Sequence, residues 1–255
     1  MPQAESVLAR PSGGHLNLGI SGRLAIVLGA SRGIGMEIAR ELWAEGCKVI
    51  SVGRTLESAE ADRRISIKCD LMPQGEPERL AEYVMTKYGS PDIVVHVLGG
   101  SQGITQMLAP SEDWAKVWRL NIGIAHDLNR CFLPEMQKNR WGRIVHISSN
   151  AHRIGVGYCP YSSAKAALDG YVKGVSKEVS KDGVIVAAVA PGIVHTPGRY
   201  FAKLDSKQQE EYFNAYIPTQ RFGRAEEVAK VVTFLASDHS SYMAGSIVAI
   251  DGGAR

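Results

Sequence analysis

From Leu24 onward the chain alternates short apolar runs with longer helical patterns, and few architectures accept that alternation. The runs are Leu24–Leu28, Lys48–Val52, Ile65–Cys69, Ile93–Val97, Arg143–Ile147, Val184–Val189 and Ser246–Ile250. They are nearly continuous in Val, Ile and Ala and lack polar alternation, as strands covered on both faces must be. Helical patterns fill the gaps at Ile34–Ala44, Pro77–Lys87, Glu112–Met136, Pro160–Lys181 and Ala225–Ala236. The order predicts a doubly wound parallel α/β sheet of the Rossmann type, about seven strands with helices on both faces. Residues 19–255 are expected to form one domain behind a flexible extension over residues 1–18. The stretch Thr196–Arg221 interrupts the alternation at the end of a strand, the position of a lid over a site.

Composition narrows the functional classes. A formal charge of +3, spread without runs of like sign, argues against a nucleic-acid or membrane surface. No segment resembles a signal peptide or a membrane span, so a cytoplasmic location is expected. Cys47, Cys69, Cys131 and Cys159 contain no CxxC pair and read as small hydrophobes in a reducing compartment. No His, Cys, Asp or Glu cluster has metal-ligand spacing, and no catalytic metal is expected.

The first strand runs directly into Gly29-Ala30-Ser31-Arg32-Gly33-Ile34-Gly35, and a helix follows. Glycines in such a turn let backbone approach a pyrophosphate, which the helix N-terminus then attracts. A tight turn alone would use the same residues, but the strand–turn–helix context favours a nucleotide. The second strand ends at Gly53-Arg54, where an NAD site usually carries Asp or Glu. A guanidinium there, with Arg32 in the glycine loop, suits the 2′-phosphate of NADP(H). Asp70, ending the third predicted strand, is placed to accept from the adenine amino group; an Asp that merely starts a loop would look the same.

Tyr161 and Lys165 stand four apart at a helix start, so both lie on one helical face. An ammonium beside a phenol favours the phenolate, which equips the tyrosine for proton transfer to a carbonyl oxygen. Ser148 and Ser149 follow the strand Arg143–Ile147 at the sheet edge where such folds bind ligands. Asn121 lies inside a helical pattern that it does not favour and is expected to hold a water relaying protons through Lys165.

With these pieces together, the chain resembles the short-chain dehydrogenase/reductase family, single-domain type, from about Leu18 to Gly253. The family's TGxxxGxG loop corresponds to Leu28–Gly35, and its YxxxK motif to Tyr161–Lys165. Its PGxxxT segment matches Pro191–Thr196, and Asp251-Gly252-Gly253 matches its closing segment. The resemblance implies Tyr161 as acid/base, with Lys165 lowering its pKa and holding the nicotinamide ribose. It gives Ser149 the substrate carbonyl, Asn121 a place in the active site, and Thr196 the nicotinamide carboxamide. Further cofactor contacts are implied for Gly29, Ser31, Arg32, Gly33, Ile34, Gly35, Arg54, Asp70, Leu71, Gly99, Pro191, Gly192 and Val194. A homotetramer or homodimer is also implied, through the helices bearing Trp114 and Tyr161.

Three departures from the family stand out. Leu28 replaces a threonine, and Val97-Leu98-Gly99-Gly100 replaces NNAG, which predicts a repacked wall behind the cofactor. The serine register is ambiguous: counting from Arg143 selects Ser149, and counting back from Tyr161 selects Ser148. Ser149 is expected. His195 reads as a polar loop residue, His96 and His146 as satisfied interior histidines, and Trp114 with Trp118 as a packing face. The expected activity is NADPH-dependent reduction of a small ketone, such as a 3-oxoacyl thioester. An alcohol or sugar dehydrogenase and a non-catalytic nucleotide-binding regulator are its rivals.

Overall fold

The computed structural model describes residues 16–154, 158–196 and 204–254. Its strands are β1 (Leu24–Leu28), β2 (Lys48–Gly53), β3 (Ala59–Ala61), β4 (Arg64–Lys68), β5 (Ile93–His96), β6 (Gly142–Ile147), β7 (Val184–Pro191) and β8 (Ile247–Ile250). They form one eight-stranded sheet in the order β3-β4-β2-β1-β5-β6-β7-β8. All pairings are parallel except that of β3, which runs antiparallel to β4 at the edge. The strand order reverses between β1 and β5, so the crevice at their C-terminal ends is the switch point where such sheets bind ligands.

Each predicted strand is present, with ends moved by one or two residues. The sheet has eight strands instead of the expected seven because β3 is added at its edge. Its residues Ala59-Glu60-Ala61 are exposed and carry no apolar pattern; only pairing with β4 makes them a strand.

The runs that form β1, β2, β5, β6 and β7 are buried along most or all of their length, whereas β4 and the edge strand β8 are partly exposed. Along β1, Leu24, Ile26 and Leu28 point into one core and Ala25 and Val27 into the other. The first core is closed by α2 (Glu76–Tyr88), α4 (Ile124–Lys138) and α6 (Cys159–Val179), through residues such as Val84, Phe132 and Val172. The second is closed by α1 (Gly33–Ala44) and α8 (Ala225–Leu235), through Ile38, Leu42 and Val232. Each of these large side chains contributes about 1.5–3 kcal/mol by leaving water. No helix among the described residues is long and apolar enough to cross a membrane.

Two segments depart from the expected pattern. The helix expected over Glu112–Met136 is broken into α3 (Ser111–Trp118), a π-helical turn (Arg119–Gly123) and α4. In α3 Val117 is fully buried, Trp114 is half-buried and Trp118 is 40% exposed. The insertion after Thr196 contains α7 (Ser206–Tyr216). Its start is set by a capping box: Asp205 accepts from the Gln208 N–H at 2.9 Å, and Gln208 accepts from the Asp205 N–H at 3.1 Å. Phe213 packs on Phe222 with ring centroids 4.8 Å apart. Residues 197–203 of the expected lid lie outside the described residues, as does most of the N-terminal extension. At the extension's end, the Leu18 carbonyl accepts from the Asp238 N–H at 3.1 Å.

Candidate active site

The glycine loop between β1 and α1 is shaped by contacts that leave no room for side chains. Gly29 has φ +95, a conformation that favours glycine, and its N–H donates to the Val52 carbonyl at 2.9 Å. A Cβ on Gly35 would fall on the Gly29 carbonyl oxygen, so the first turn of α1 can close onto the loop only with glycine there. Gly33 faces Thr196, whose Cγ2 lies 3.0 Å from where a Cβ would be. This contact joins the glycine loop to the Pro191–Thr196 segment.

On the β2 side, a Cβ on Gly53 would meet the Ser31 hydroxyl oxygen. Steric closure thus keeps an acidic side chain out of position 53. Arg32 and Arg54 are both exposed, and neither has an ion-pair partner among the described residues. The cradle therefore fits a pyrophosphate with an additional anion beside the two guanidinium groups. Asp70 accepts from the Met72 N–H at 3.1 Å, the turn that its loop-starting alternative anticipated. Leu71 turns its side chain into the core.

The departure at Val97–Gly100 is accommodated by packing. Leu98 closes against Gly29, with its Cδ2 3.2 Å from the place of a Gly29 Cβ. Gly99 sits where a Cβ would lie 2.8 Å from Asn121 Oδ1 and 2.9 Å from Lys165 Nζ. Asn121 stands in the π-helical turn, a form of helix often found at functional sites. Its amide Nδ2 donates to the Val117 and Gly100 carbonyls at 2.8 and 2.9 Å, and its Oδ1 accepts from the Gly100 N–H at 3.1 Å. The extra residue in that turn sets Asn121 against the segment after β5.

Lys165 is 2% exposed and donates from Nζ to the Ile147 carbonyl at 2.7 Å. Burial lowers its pKa to about 8, against the opposing attraction of Asp169. Tyr161 lies one turn earlier on α6, with its ring centroid 5.9 Å from Lys165 Nζ. The serines after β6 differ in their bonding. Ser148 donates its hydroxyl to Asp169 Oδ1 at 2.5 Å, while Ser149 Oγ accepts from the Ala151 N–H at 3.2 Å.

Beneath this edge, His96 and His146 stack with centroids 4.6 Å apart. They are interior, as predicted, but not satisfied. His96 Nε2 pairs with Asn129 Oδ1 at 2.8 Å, whereas neither ring nitrogen of His146 has a partner among the described residues. Burial holds both in the neutral form, with the His96 pKa lowered to about 4. His195 is an exposed loop residue. The described cysteines are free, and burial raises the Cys47 thiol to about 12.

Residues 29–255 match the family described as enoyl-(acyl carrier protein) reductase. The chain belongs to the short-chain dehydrogenase/reductase family. It is 33% identical to the 3-oxoacyl-(acyl-carrier-protein) reductase of Pseudomonas aeruginosa over 246 residues, 92% of this chain and 98% of that one. The corresponding reductase of Aquifex aeolicus is 32% identical over 249 residues, 93% of this chain and 99% of its own. Among solved structures, the L-sorbose reductase of Gluconobacter frateurii, complexed with NADPH and L-sorbose, superposes with a TM-score of 0.83. It is 27% identical, with 93% of this chain and 98% of that one covered. A 3-oxoacyl (acyl-carrier-protein) reductase of Agrobacterium tumefaciens with NADP bound gives 0.84 at 27% identity, over 94% of this chain and 97% of that one. The chain is thus an NAD(P)-dependent oxidoreductase of that family.

Sequence reasoning overlooked Asp169, His152 and Arg153. A signal existed for the first: Asp169 is eight residues beyond Tyr161 and four beyond Lys165, on the same helical stripe.

Proposed function

We propose that the protein reduces a small ketone to an alcohol with NADP(H), Tyr161 giving its phenolic proton to the carbonyl oxygen. The observation that carries this reading is the meeting of Lys165, Asn121 and Gly99 at the C-terminal edge of β5 and β6, one helical turn from Tyr161. NADPH, when bound, supplies the hydride that reduces the carbonyl carbon. Gly29, Ser31, Gly33, Ile34 and Gly35 cradle the pyrophosphate, and Arg32 and Arg54 pair with the 2′-phosphate. Asp70 and Leu71 border the adenine, while Gly99, Pro191, Gly192, Val194 and Thr196 border the nicotinamide.

Lys165 holds the nicotinamide ribose and favours the phenolate once the proton has left. Ser149 holds the substrate oxygen; the commitment of the Ser148 hydroxyl to Asp169 supports that choice. Asn121 orders the water through which Lys165 is reprotonated. Within the insertion, α7 serves as the lid over the substrate. The likeness to 3-oxoacyl reductases favours a 3-oxoacyl thioester as substrate, and that to L-sorbose reductase supports a ketose as the second candidate.

The protein works in the cytoplasm as a homodimer or homotetramer joined through α4 and α6. A groove of about 640 Å³ between these helices, bordered by His126, Arg130 and Tyr171, is the surface a second copy would cover. Light scattering on the eluted protein reads the assembly.

The functional test begins with cofactor fluorescence on wild type, titrated with NADPH and NADH. NADPH oxidation is then followed with acetoacetyl-coenzyme A and with L-sorbose. Preferred NADPH binding followed by turnover of either ketone is expected. Tight NADPH binding with no ketone turned over, together with oxidation of alcohols, would reverse the assigned direction. Binding without any turnover would make the protein a nucleotide-binding regulator.

A further inference from the structure

Asp169 is a buried charge that the reaction outlined above leaves unused. Its side chain is 12% exposed, and its carboxylate gathers three partners from the segment that follows β6. Oδ1 accepts from Ser148 Oγ at 2.5 Å. Oδ2 accepts from Arg153 Nη2 at 3.3 Å and lies 3.1 Å from His152 Nε2. His152 and Arg153 belong to α5 (Ala151–Ile154), so one carboxylate fastens both ends of residues 148–153 to α6. Ser149 lies between those ends, with its Oγ held by the Ala151 N–H.

The same helix carries Tyr161 and Lys165 on the stripe that Asp169 continues. The segment bearing the serine and the helix bearing the tyrosine and lysine are therefore joined through a single side chain. Burying this carboxylate among donors is stable only because each donor compensates its desolvation.

We propose that Asp169 is a positioning residue of the reductase: it sets the height of Ser149 relative to Tyr161 and supplies the countercharge for the buried Lys165 ammonium. This rests on the ketone-reductase reading above. The charged and titratable groups around the pair can be named. Lys165 faces Asp169 along its own helix, Tyr161 one turn before it, and His146 from β6. Asp169 faces His152 and Arg153 from α5. His146 is neutral, so Asp169 is the anion that balances Lys165 among these groups.

The test variant is Asp169→Asn, which keeps the shape and removes the charge. The first measurement uses the ligand-free protein: side-chain NMR of ¹³C-labelled lysine, with the Lys165 signal assigned by its loss in Lys165→Arg. Wild type should titrate near pH 8, and Asp169→Asn distinctly lower. The second measurement is NADPH oxidation with acetoacetyl-coenzyme A. Here kcat should fall about 100-fold, the scale of a misplaced reacting group, with a smaller change in KM for NADPH. Because activity needs the Lys165 ammonium, the alkaline limb of kcat should also move to lower pH in the variant.

Ser148→Ala removes one tie and leaves the charge. It should lower kcat by about 10-fold, the loss of one hydrogen bond, without moving the Lys165 titration. If Asp169→Asn fails to fold by circular dichroism, Ser148→Ala and Arg153→Gln test the positioning of Ser149 through kcat against KM, and an unchanged kcat in both would overturn the proposal. A lower melting temperature with unchanged kcat and unchanged Lys165 titration would overturn the proposal and leave Asp169 a structural anchor. If wild type binds NADPH but reduces no ketone, the reductase reading fails, and the NMR titration alone decides whether Asp169 balances Lys165.

Discussion

At one end of the crevice, Arg32 and Arg54 stand exposed around a turn made of backbone and glycine. At the other, Lys165, Asn121, Ser148 and Asp169 are each less than 10% exposed and bonded to one another's neighbours. In the proposed reading the first region recognises a ligand by presenting N–H groups and solvated cations, which cost little to leave unfilled. The second is a buried polar network in a poor dielectric, where a donor left without an acceptor is costly. The comparison teaches that the cofactor end tolerates change in its charges but not in its glycines. The catalytic end tolerates change in neither shape nor charge.

The largest test of that contrast is Tyr161→Phe. It should lower kcat for ketone reduction by about 1000-fold while leaving NADPH affinity within a small factor. Retained turnover would remove Tyr161 from the proton transfer. Next is Gly35→Ala, whose added methyl would fall on the Gly29 carbonyl oxygen. A loss of about 3 kcal/mol in stability, read from urea melts, is expected together with loss of NADPH binding. An Ala variant that melts like wild type would show that the loop can open without penalty.

Arg54→Ala should be milder. NADPH should bind about 10-fold more weakly, more so at low salt, with NADH binding unchanged. Equal losses for both cofactors would place Arg54 away from the 2′-phosphate.

The smallest effect concerns the buried histidines. His96 has a folded-state pKa of about 4 against an ordinary 6.5, so between these values the unfolded chain takes up a proton that the folded one refuses. Stability should therefore fall as pH drops from about 6.5 toward 4, and His96→Gln should flatten part of that slope. His146, lowered in the same direction, leaves the remainder. Urea midpoints that fall in parallel for variant and wild type would show that His96 does not contribute.

Much of this molecule was legible beforehand, but unevenly. The apolar runs announce their strands most clearly at β1, β5, β6 and β7, because a strand buried on both faces has to be apolar throughout. β3 stayed hidden because its three exposed residues carry no such pattern. The periodicity over 112–136 predicts one continuous helix because it barely changes at Arg119–Gly123, where the π-helical turn adds one residue. The choice between Ser148 and Ser149 remained open because counting along a loop cannot show where each hydroxyl points. His96 and His146 were placed inside correctly. That His146 lacks a hydrogen-bond partner among the described residues depends on what β5, β6 and α6 bring beside it.

The sequence by itself determined the strand–helix order, the glycine turn, the missing acid after β2 and the Tyr161–Lys165 spacing. All of these are local: they depend on φ preference, on periodicities of 2 and 3.6 residues, or on residues one turn apart. Only the tertiary structure decided that Gly53 must be bare because Ser31 lies against it, and that Gly99 admits Asn121 and Lys165. It also decided that Asp169 gathers Ser148, His152 and Arg153 around one carboxylate. These contacts join residues far apart in the chain, and burial makes them matter: out of water, a charge or hydroxyl is defined by the partner that packing brings to it.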